Sequence, residues 1–193
     1  MIRIKLLGLF ILLLLAACQV PYEFHGTELP NAQPIPEVTL ESNQGEMSLY
    51  DFKGQYTFVY FGYTFCPDVC PITLSNLKQV KAELGDQGRE MAVVMITVDP
   101  ERDTPEKLAE YVAHFDDDFV GLSGDIEKID ALGKPFGLYY EHQEGTAASG
   151  YLVNHTARTF LLNKDSEVIM TFAHQTPANE IYEDLAHLLK SQP

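Results

Sequence analysis

Two continuous apolar runs constrain the fold of this chain more than any other feature. Residues 56–61 (YTFVYF) and 91–98 (MAVVMITV) are rich in aromatic and β-branched side chains and carry no charge. Such runs predict strands that are buried on both faces of a sheet. A helical pattern follows each of them, over 71–84 and over 104–115. The order strand–helix–strand–helix predicts an α/β fold in which helices pack on the sheet.

The remaining segments complete one predicted domain. They are a hairpin over 38–50, a short strand over 119–122, a helix over 125–132 capped by Asp125, two strands over 157–162 and 167–172, and a closing helix over 177–190. Together they predict a central mixed β-sheet flanked by helices on both faces. Periodicity alone gives an α/β fold, and the thiol motif described below narrows it to a thioredoxin-like arrangement.

The first residues of the chain predict export and lipid anchoring. Arg3 and Lys5 lie before an apolar run over 6–15, and small residues then lead to Cys18. This order is typical of a secretory signal, and the run is too short for a comfortable transmembrane span. Leu-Ala-Ala-Cys resembles a bacterial lipobox. We therefore expect residues 1–17 to be removed and Cys18 to be lipidated.

A lipidated Cys18 would anchor the domain to the bacterial cell membrane, on its periplasmic or extracytoplasmic side. An uncleaved N-terminal anchor is the alternative, and it too would hold the domain outside the cytoplasm. Residues 18–36 are polar and contain four prolines, so we expect a flexible tether there and the folded domain over 37–193. The formal net charge of −15 excludes nucleic acid as a partner, because phosphate binding needs a basic face.

Lipidation of Cys18 would leave Cys66 and Cys70 as the only free thiols of the three cysteines. Both lie between the predicted strand over 56–61 and the predicted helix over 71–84. The carboxyl end of a central strand is where α/β sheets place reactive groups, and a helix N-terminus favours the thiolate form. A disulfide between residues so close in sequence closes almost no loop and adds little stability. We therefore expect a chemical role for the pair.

Three residues separate the two cysteines, so their sulfur atoms are expected on one side of the chain, about one helical turn apart. Two soft thiolates suit Cu(I) better than Mg²⁺ or Ca²⁺, and a structural zinc site would need four protein ligands. A disulfide is also compatible with this spacing. The residues alone leave two hypotheses open, a soft-metal site and a redox site in which Cys66 and Cys70 are catalytic.

A metal site would take a further ligand from one of the histidines. His155 lies between an apolar segment and the predicted strand over 157–162, so we expect it to begin a core strand. A lone histidine in such a place is more often structural than a ligand. The other five are expected in the tether, in helices or in polar turns: His25, His114, His142, His174 and His187.

Four segments of the chain resemble the SCO/SenC family of copper-binding, thioredoxin-like proteins, which assist assembly of cytochrome c oxidase. They are residues 60–71 (YFGYTFCPDVCP), 97–105 (TVDPERDTP), 121–124 (GLSG) and 154–156 (NHT). The first two patterns are highly specific. The resemblance implies a copper metallochaperone in which Cys66, Cys70 and His155 bind Cu(I), and Cu(II) with an added ligand. Its implied partners are the copper-bearing subunit of cytochrome c oxidase or another copper chaperone.

The resemblance also implies roles for three neighbouring residues. Asp68, inside the thiol loop, would bias the site electrostatically or face a partner, and Asp99 would order the loop after its strand. The family often carries an acid directly before the histidine, where this chain has Asn154. If that neighbour orients the imidazole, copper binding here would be weaker.

Two alternatives to a metallochaperone stay open. A thiol–disulfide oxidoreductase that keeps the oxidase cysteines reduced would use the same two cysteines, and unlike a metallochaperone it would be an enzyme. Both roles are compatible, because metal binding requires reduced thiols. A peroxidase is the least favoured, since Thr64-Phe65-Cys66 resembles the Thr-x-x-Cys pattern of peroxiredoxins with one residue missing.

Overall fold

A computed structural model of the chain describes residues 21–146 and 150–191. The predicted signal, Cys18 and the start of the predicted tether lie outside these residues. The strands are β1 (Thr27–Pro34), β2 (Thr39–Ser42), β3 (Gly45–Ser48), β4 (Tyr56–Gly62), β5 (Met91–Thr97), β6 (Val120–Leu122), β7 (Tyr140–Gln143), β8 (Leu152–His155), β9 (Arg158–Leu162) and β10 (Glu167–Ala173). The α-helices are α1 (Val69–Leu84), α2 (Pro105–Ala113), α3 (Ile126–Gly133) and α4 (Ala178–Ser191). In the described ranges no helix is both long and apolar enough to cross a membrane.

The main sheet has six strands in the order β1-β10-β9-β4-β5-β6. The two apolar runs form β4 and β5, which lie side by side and parallel at its centre, and every residue of both strands is buried. On its other side β4 pairs antiparallel with β9. The prediction of a mixed, thioredoxin-like sheet is therefore confirmed.

Helices pack on both faces of this sheet, as predicted. The hydroxyl group of Tyr60 in β4 reaches Cys70 in α1, whereas the ring of the next residue, Phe61, contacts Phe136 just after α3. Successive strand residues point to opposite faces, so α1 and the segment that follows α3 lie on opposite sides of the sheet. The closing helix α4 packs against α1.

The N-terminal segment departs from the prediction of a flexible tether. Strand β1 pairs antiparallel with β10, so the prediction is wrong over 27–34. Before this strand, the buried carboxylate of Asp184 in α4 accepts hydrogen bonds from the Tyr22 hydroxyl and from the backbone N–H groups of His25 and Gly26. Proline is tolerated in β1 because an edge strand has one side without a sheet partner. The prolines therefore marked an edge strand and not a linker.

A second departure concerns the strand that carries His155. Strands β7 and β8 form a separate two-stranded sheet, with Tyr140 paired to His155. The expectation that His155 begins a core strand is wrong, because His155 ends β8 and the core strand β9 starts at Arg158. The sequence of β7 is short, polar and largely exposed, so it lacks the apolar alternation that identifies a half-buried strand.

Two helix starts also differ in detail. Helix α1 begins at Val69, earlier than predicted, so Cys70 lies in its first turn. Asp125 occupies the N-cap position of α3, but its side chain accepts no capping hydrogen bond. Thr104 does cap α2, since its hydroxyl oxygen accepts a hydrogen bond from the backbone N–H of Lys107.

Candidate metal centre

The loop between β4 and α1 places the two thiols at the carboxyl end of the central strand. Cys66 lies in the loop and is partly exposed, whereas Cys70 lies in the first turn of α1 and is fully buried. The backbone N–H of Cys70 points at the Cys66 sulfur, with an N···S distance of 3.4 Å. Cys66 Sγ thus satisfies one of the N–H groups that a helix start leaves unpaired.

Close packing under the loop fixes the position of the Cys70 side chain. A Cβ atom added at Gly62 would lie 2.7 Å from the Tyr60 ring, 3.0 Å from Cys70 Sγ and 3.1 Å from Met95. Only glycine therefore permits this approach of α1 to the end of β4. The buried Tyr60 hydroxyl donates a hydrogen bond to Cys70 Sγ over 3.4 Å.

The imidazole of His155 completes the cluster from the β7–β8 hairpin. Its Nε2 atom lies 3.7 Å from Cys70 Sγ, and its Nδ1 atom lies 3.3 Å from the backbone carbonyl oxygen of Thr156. The rings of Tyr60 and Tyr63 pack against it edge to face. A hydrogen on Nδ1 would donate to the Thr156 carbonyl and leave the Nε2 lone pair free to bind a metal.

The sulfur atoms of Cys66 and Cys70 and a ring nitrogen of His155 all lie within 4.8 Å of one another. Among the His, Cys, Asp and Glu side chains of the described ranges, only these three form such a cluster. Bonds of about 2.0 to 2.3 Å from nitrogen and sulfur to one ion would span these separations with little movement. The donors are soft, and a fourth protein ligand of these types is absent from the cluster, which favours copper over structural zinc.

The two thiols differ strongly in acidity. The hydrogen bond from the Cys70 side chain is the largest cause that lowers the pKa of Cys66, to about 4, and it outweighs the opposing effect of partial burial. A further hydrogen bond with His155 acts in the same direction. Burial raises the pKa of Cys70, and the neighbouring Cys66 raises it further. At neutral pH the pair therefore holds a thiolate at Cys66 and a thiol at Cys70.

The three neighbours singled out from the sequence occupy different environments. Asp68 is exposed at the start of α1, and its side chain makes no capping hydrogen bond. Asp99 is buried, and its carboxylate accepts hydrogen bonds from Arg102 Nε and from the Tyr151 hydroxyl. Asn154 is exposed and lines the groove beside His155.

Asp103 is a supporting residue that the sequence reasoning missed. It is fully buried, and its carboxylate accepts hydrogen bonds from the backbone N–H and hydroxyl of Thr64 and from the hydroxyl of Thr97. These contacts tie the thiol loop to the end of β5, and burial raises the pKa of Asp103. The available signal was an acid in the polar segment that directly follows a buried strand.

An open groove of about 290 Å³ leads from the surface to Cys66 and His155. Pro67, Val69 and Leu152 contribute apolar lining. Phe65, next to Cys66, is 51% exposed, and Ile72, in the second turn of α1, is 49% exposed. Cys66 and His155 therefore border a surface groove, whereas Cys70 lies buried behind them.

Comparison with known proteins identifies the family. The SCO1/SenC family model matches residues 31–190. The human mitochondrial SCO1 homolog is 35% identical over 138 residues, which cover 70% of this chain and 46% of the human protein. The chain thus spans about half the length of that relative.

Solved structures agree with this match. Solution structures of apo Sco1 from Thermus thermophilus give a TM-score of 0.79 at 33% identity, covering 88% of this chain and 99% of that chain. The structure of Bradyrhizobium japonicum ScoI with copper bound gives 0.71 at 31% identity, covering 80% of this chain and 98% of that chain. Because the family model spans most of its length, this chain belongs to the SCO1/SenC family.

Proposed function

We propose that this protein binds one copper ion through Cys66, Cys70 and His155 and assists maturation of the dinuclear copper centre of cytochrome c oxidase. The single observation that carries the proposal is the cluster of three ligand atoms within 4.8 Å. The copper-bound ScoI structure from Bradyrhizobium japonicum supports copper as the ion. Two thiolates and one imidazole suit Cu(I), and an added ligand would allow Cu(II).

The acidity of the site favours metal capture at neutral pH. Cys66 is already a thiolate, because its pKa is lowered to about 4. Copper therefore has to displace a proton only from Cys70, whose pKa is raised by burial. The open groove gives a partner access to the bound ion, as release to an acceptor requires. Asp68 is exposed on this groove, and we assign it a contact with the acceptor.

Copper titration of the reduced, metal-free protein tests the ligand set. With a competing Cu(I) chelator present, we expect one copper per chain, weaker binding in His155→Ala and no stable binding in Cys66→Ser. His114→Ala is the matched control, because His114 is exposed at the C-terminal end of α2 and bonds a backbone carbonyl there. An unchanged copper site in His155→Ala would contradict the three-ligand proposal.

Delivery to the oxidase is tested in cells. A strain that lacks this protein is expected to contain oxidase depleted of copper, and added copper is expected to restore part of its activity. If the oxidase in that strain had its full copper content, cytochrome c oxidase would not be the client of this protein.

A thiol–disulfide oxidoreductase is the second candidate, and the asymmetry of the two thiols favours it. The accessible Cys66 thiolate would attack a client disulfide and release one client thiolate, forming a mixed disulfide. Cys70 would then lose its proton and attack Cys66 Sγ, which releases the second client thiolate. The client gains two electrons, and the Cys66–Cys70 pair is oxidised to a disulfide that an external dithiol reductant must reduce again.

The reduction potential of the pair separates the two candidates. A potential near that of thioredoxin, about −270 mV, together with turnover on a disulfide client, would support the reductase. A potential well above about −200 mV would leave the pair too oxidising for this task.

We also propose that lipid on Cys18 anchors the domain to the outer side of the bacterial cell membrane. The support is the basic, apolar and small-residue order of residues 1–17. Mass spectrometry of the mature N-terminus is expected to find a diacylated Cys18. A Cys18→Ser variant that stays quantitatively in the membrane fraction with the signal removed would contradict the lipid anchor.

A further inference from the structure

The ligands of the proposed copper site come from two differently supported parts of the fold. Cys66 and Cys70 follow β4 of the main sheet, whereas His155 ends β8, whose one pairing partner among the described strands is β7. Main-chain pairing between described strands therefore does not hold His155 against the thiols. Two residues connect His155 to the core strand β9, and side-chain contacts determine how closely the rest of the β7–β8 hairpin lies to the thiol loop.

Arg102 makes the most extensive of these side-chain contacts. Its guanidinium carbon lies 3.6 Å from the centre of the Tyr151 ring and 4.7 Å from the centre of the Phe65 ring. Its Nη1 atom donates a hydrogen bond over 3.0 Å to the Tyr151 carbonyl oxygen. Phe65 is the neighbour of Cys66, and Tyr151 directly precedes the strand that ends at His155.

Asp99 fixes the orientation of this arginine. Its buried carboxylate accepts a hydrogen bond from Arg102 Nε and another, of 2.6 Å, from the Tyr151 hydroxyl. The ring, the guanidinium group and the carboxylate thus form a closed unit in which each member contacts the other two. A planar guanidinium group can stack on a ring and form a directed ion pair at the same time, which a lysine ammonium group cannot do.

We propose that Arg102 is the positioning residue that holds His155 at binding distance from Cys70. This inference rests on the proposed copper site. Loss of the Arg102 side chain would free the hairpin and weaken the bond between copper and His155, while the thiol pair would keep its geometry. The effect is partial, because the hydroxyl oxygen of Tyr63 still accepts a hydrogen bond from the backbone N–H of Val153.

Amide hydrogen exchange of the metal-free protein tests the positioning role directly. In Arg102→Gln, we expect exchange in residues 152–155 to become about 10 to 100 times faster, with exchange in β5 unchanged. Unchanged exchange in 152–155 would overturn the proposal. Acceleration of the same size in β5 would also overturn it, because it would reveal a general loss of stability.

A double-mutant cycle based on Cu(I) affinity tests whether Arg102 acts through His155. By chelator competition, we expect Arg102→Gln to lower Cu(I) affinity about 10- to 100-fold in the wild-type background and less than about threefold in the His155→Ala background. An equal loss in both backgrounds would overturn the proposal. If His155→Ala alone left the affinity unchanged, the three-ligand copper site would fail, and hydrogen exchange would still decide whether Arg102 holds the hairpin.

Three further variants complete the design. Arg102→Lys keeps the charge but loses the planar group, so we expect it to behave like Arg102→Gln. Tyr151→Leu removes the other half of the stack while Arg102 and Asp99 remain paired, and the same local acceleration is expected. Arg158→Gln, which removes an exposed arginine from β9, is expected to leave both readouts unchanged. Wild-type Cu(I) affinity in Arg102→Lys or slow exchange of residues 152–155 in Tyr151→Leu would contradict a role for the stacked unit.

Discussion

The two halves of the ligand cluster are built in different ways. The cysteine half rests on β4 and α1, where Cys70 is fully buried and Asp103 ties the thiol loop to β5. The histidine half rests on a two-stranded hairpin with one largely exposed strand, and side chains hold it in place. A two-stranded hairpin is marginally stable by itself, whereas the central strands share the stability of the whole core. The difference teaches that the core fixes the two thiol ligands, whereas the position of the imidazole ligand is adjustable.

Substitution in the cysteine half is expected to have the largest effect. Cys70→Ser removes a thiolate ligand from the centre of the cluster, so copper binding should fall below detection. Copper and protein are measured in the same fractions after gel filtration of the loaded protein. His114→Ala, which alters an exposed histidine away from the cluster, should keep one copper per chain. If Cys70→Ser retained one copper per chain, the buried thiol would not be an essential ligand, and the proposed difference between the two halves would be contradicted.

Loss of the imidazole ligand should weaken copper binding but leave the thiol pair able to form a disulfide. His155→Ala is expected to lower Cu(I) affinity more than 100-fold, beyond the 10- to 100-fold loss typical of residues that only orient a ligand. Titration with a thiol reagent should still find both cysteines of the mature domain reduced and able to form a disulfide. Failure of this variant to oxidise to a disulfide would show that the two halves depend on each other.

The acidity of Cys66 gives a pH-dependent contrast between the two thiols. Its pKa is lowered to about 4, below the value of about 8.5 in an unfolded chain, so the thiolate stabilises the fold above about pH 8.5 and this contribution is lost as the pH falls through about 4. At pH 6.5, Cys66 should therefore be almost entirely thiolate, whereas an ordinary thiol with a pKa of about 8.5 is only about 1% thiolate.

The alkylation rate of Cys66 by iodoacetamide should be nearly constant from pH 8 to 6 and fall by half near pH 4. The reaction is followed by mass spectrometry, with Cys66→Ser as the control that reports the slow, buried Cys70. A tenfold fall in rate for each pH unit between 8 and 6 would indicate an unperturbed thiol and would contradict the asymmetry.

A smaller effect is expected from the carboxylate that supports the cysteine half. Asp103→Asn replaces the carboxylate group that accepts three hydrogen bonds from Thr64 and Thr97. This substitution should lower the free energy of unfolding by about 2 kcal/mol. Urea denaturation measures this change. Asp68→Asn, at an exposed carboxylate beside the same loop, is the control and should stay within about 0.5 kcal/mol. Equal changes in the two variants would show that Asp103 does not support the loop.

The smallest effect is expected at the residue before the histidine. Among the described residues, the contact of His155 Nδ1 is with the Thr156 carbonyl oxygen, so the backbone and not the side chain of residue 154 orients the ring. Asn154→Asp should therefore change Cu(I) affinity less than about threefold in a chelator competition. A gain of tenfold or more would show that a carboxylate at this position strengthens the site, as the resemblance implied.

The same contrast explains what the sequence could and could not predict. Strands β4 and β5 were predictable because burial on both faces requires continuous apolar runs, and the thiol pair followed from its place after β4. Strand β7 was not predictable, because its largely exposed residues YEHQ show no alternation of apolar and polar side chains. Strand β1 was not predictable either, because its prolines are typical of a linker. Its pairing with β10 at the edge of the sheet explains why they are tolerated.

The role of His155 as a candidate ligand could not be predicted from local sequence patterns. Its neighbours in sequence are those of an ordinary core strand, and only the resemblance to SCO/SenC proteins singled it out. Its approach to the thiols depends on contacts with Arg102 and Tyr63, which lie about 50 and 90 residues away in sequence. No periodicity within one segment reports such contacts, so the histidine half could not be derived from residue spacing.

X-ray absorption spectroscopy at the copper edge tests the central claim most directly. The reduced protein loaded with one Cu(I) should show two sulfur atoms and one imidazole nitrogen around copper, and His155→Ala should lose the imidazole signal while both sulfur atoms remain. A copper environment of sulfur alone in the wild-type protein, or an unchanged imidazole signal in His155→Ala, would contradict binding by Cys66, Cys70 and His155.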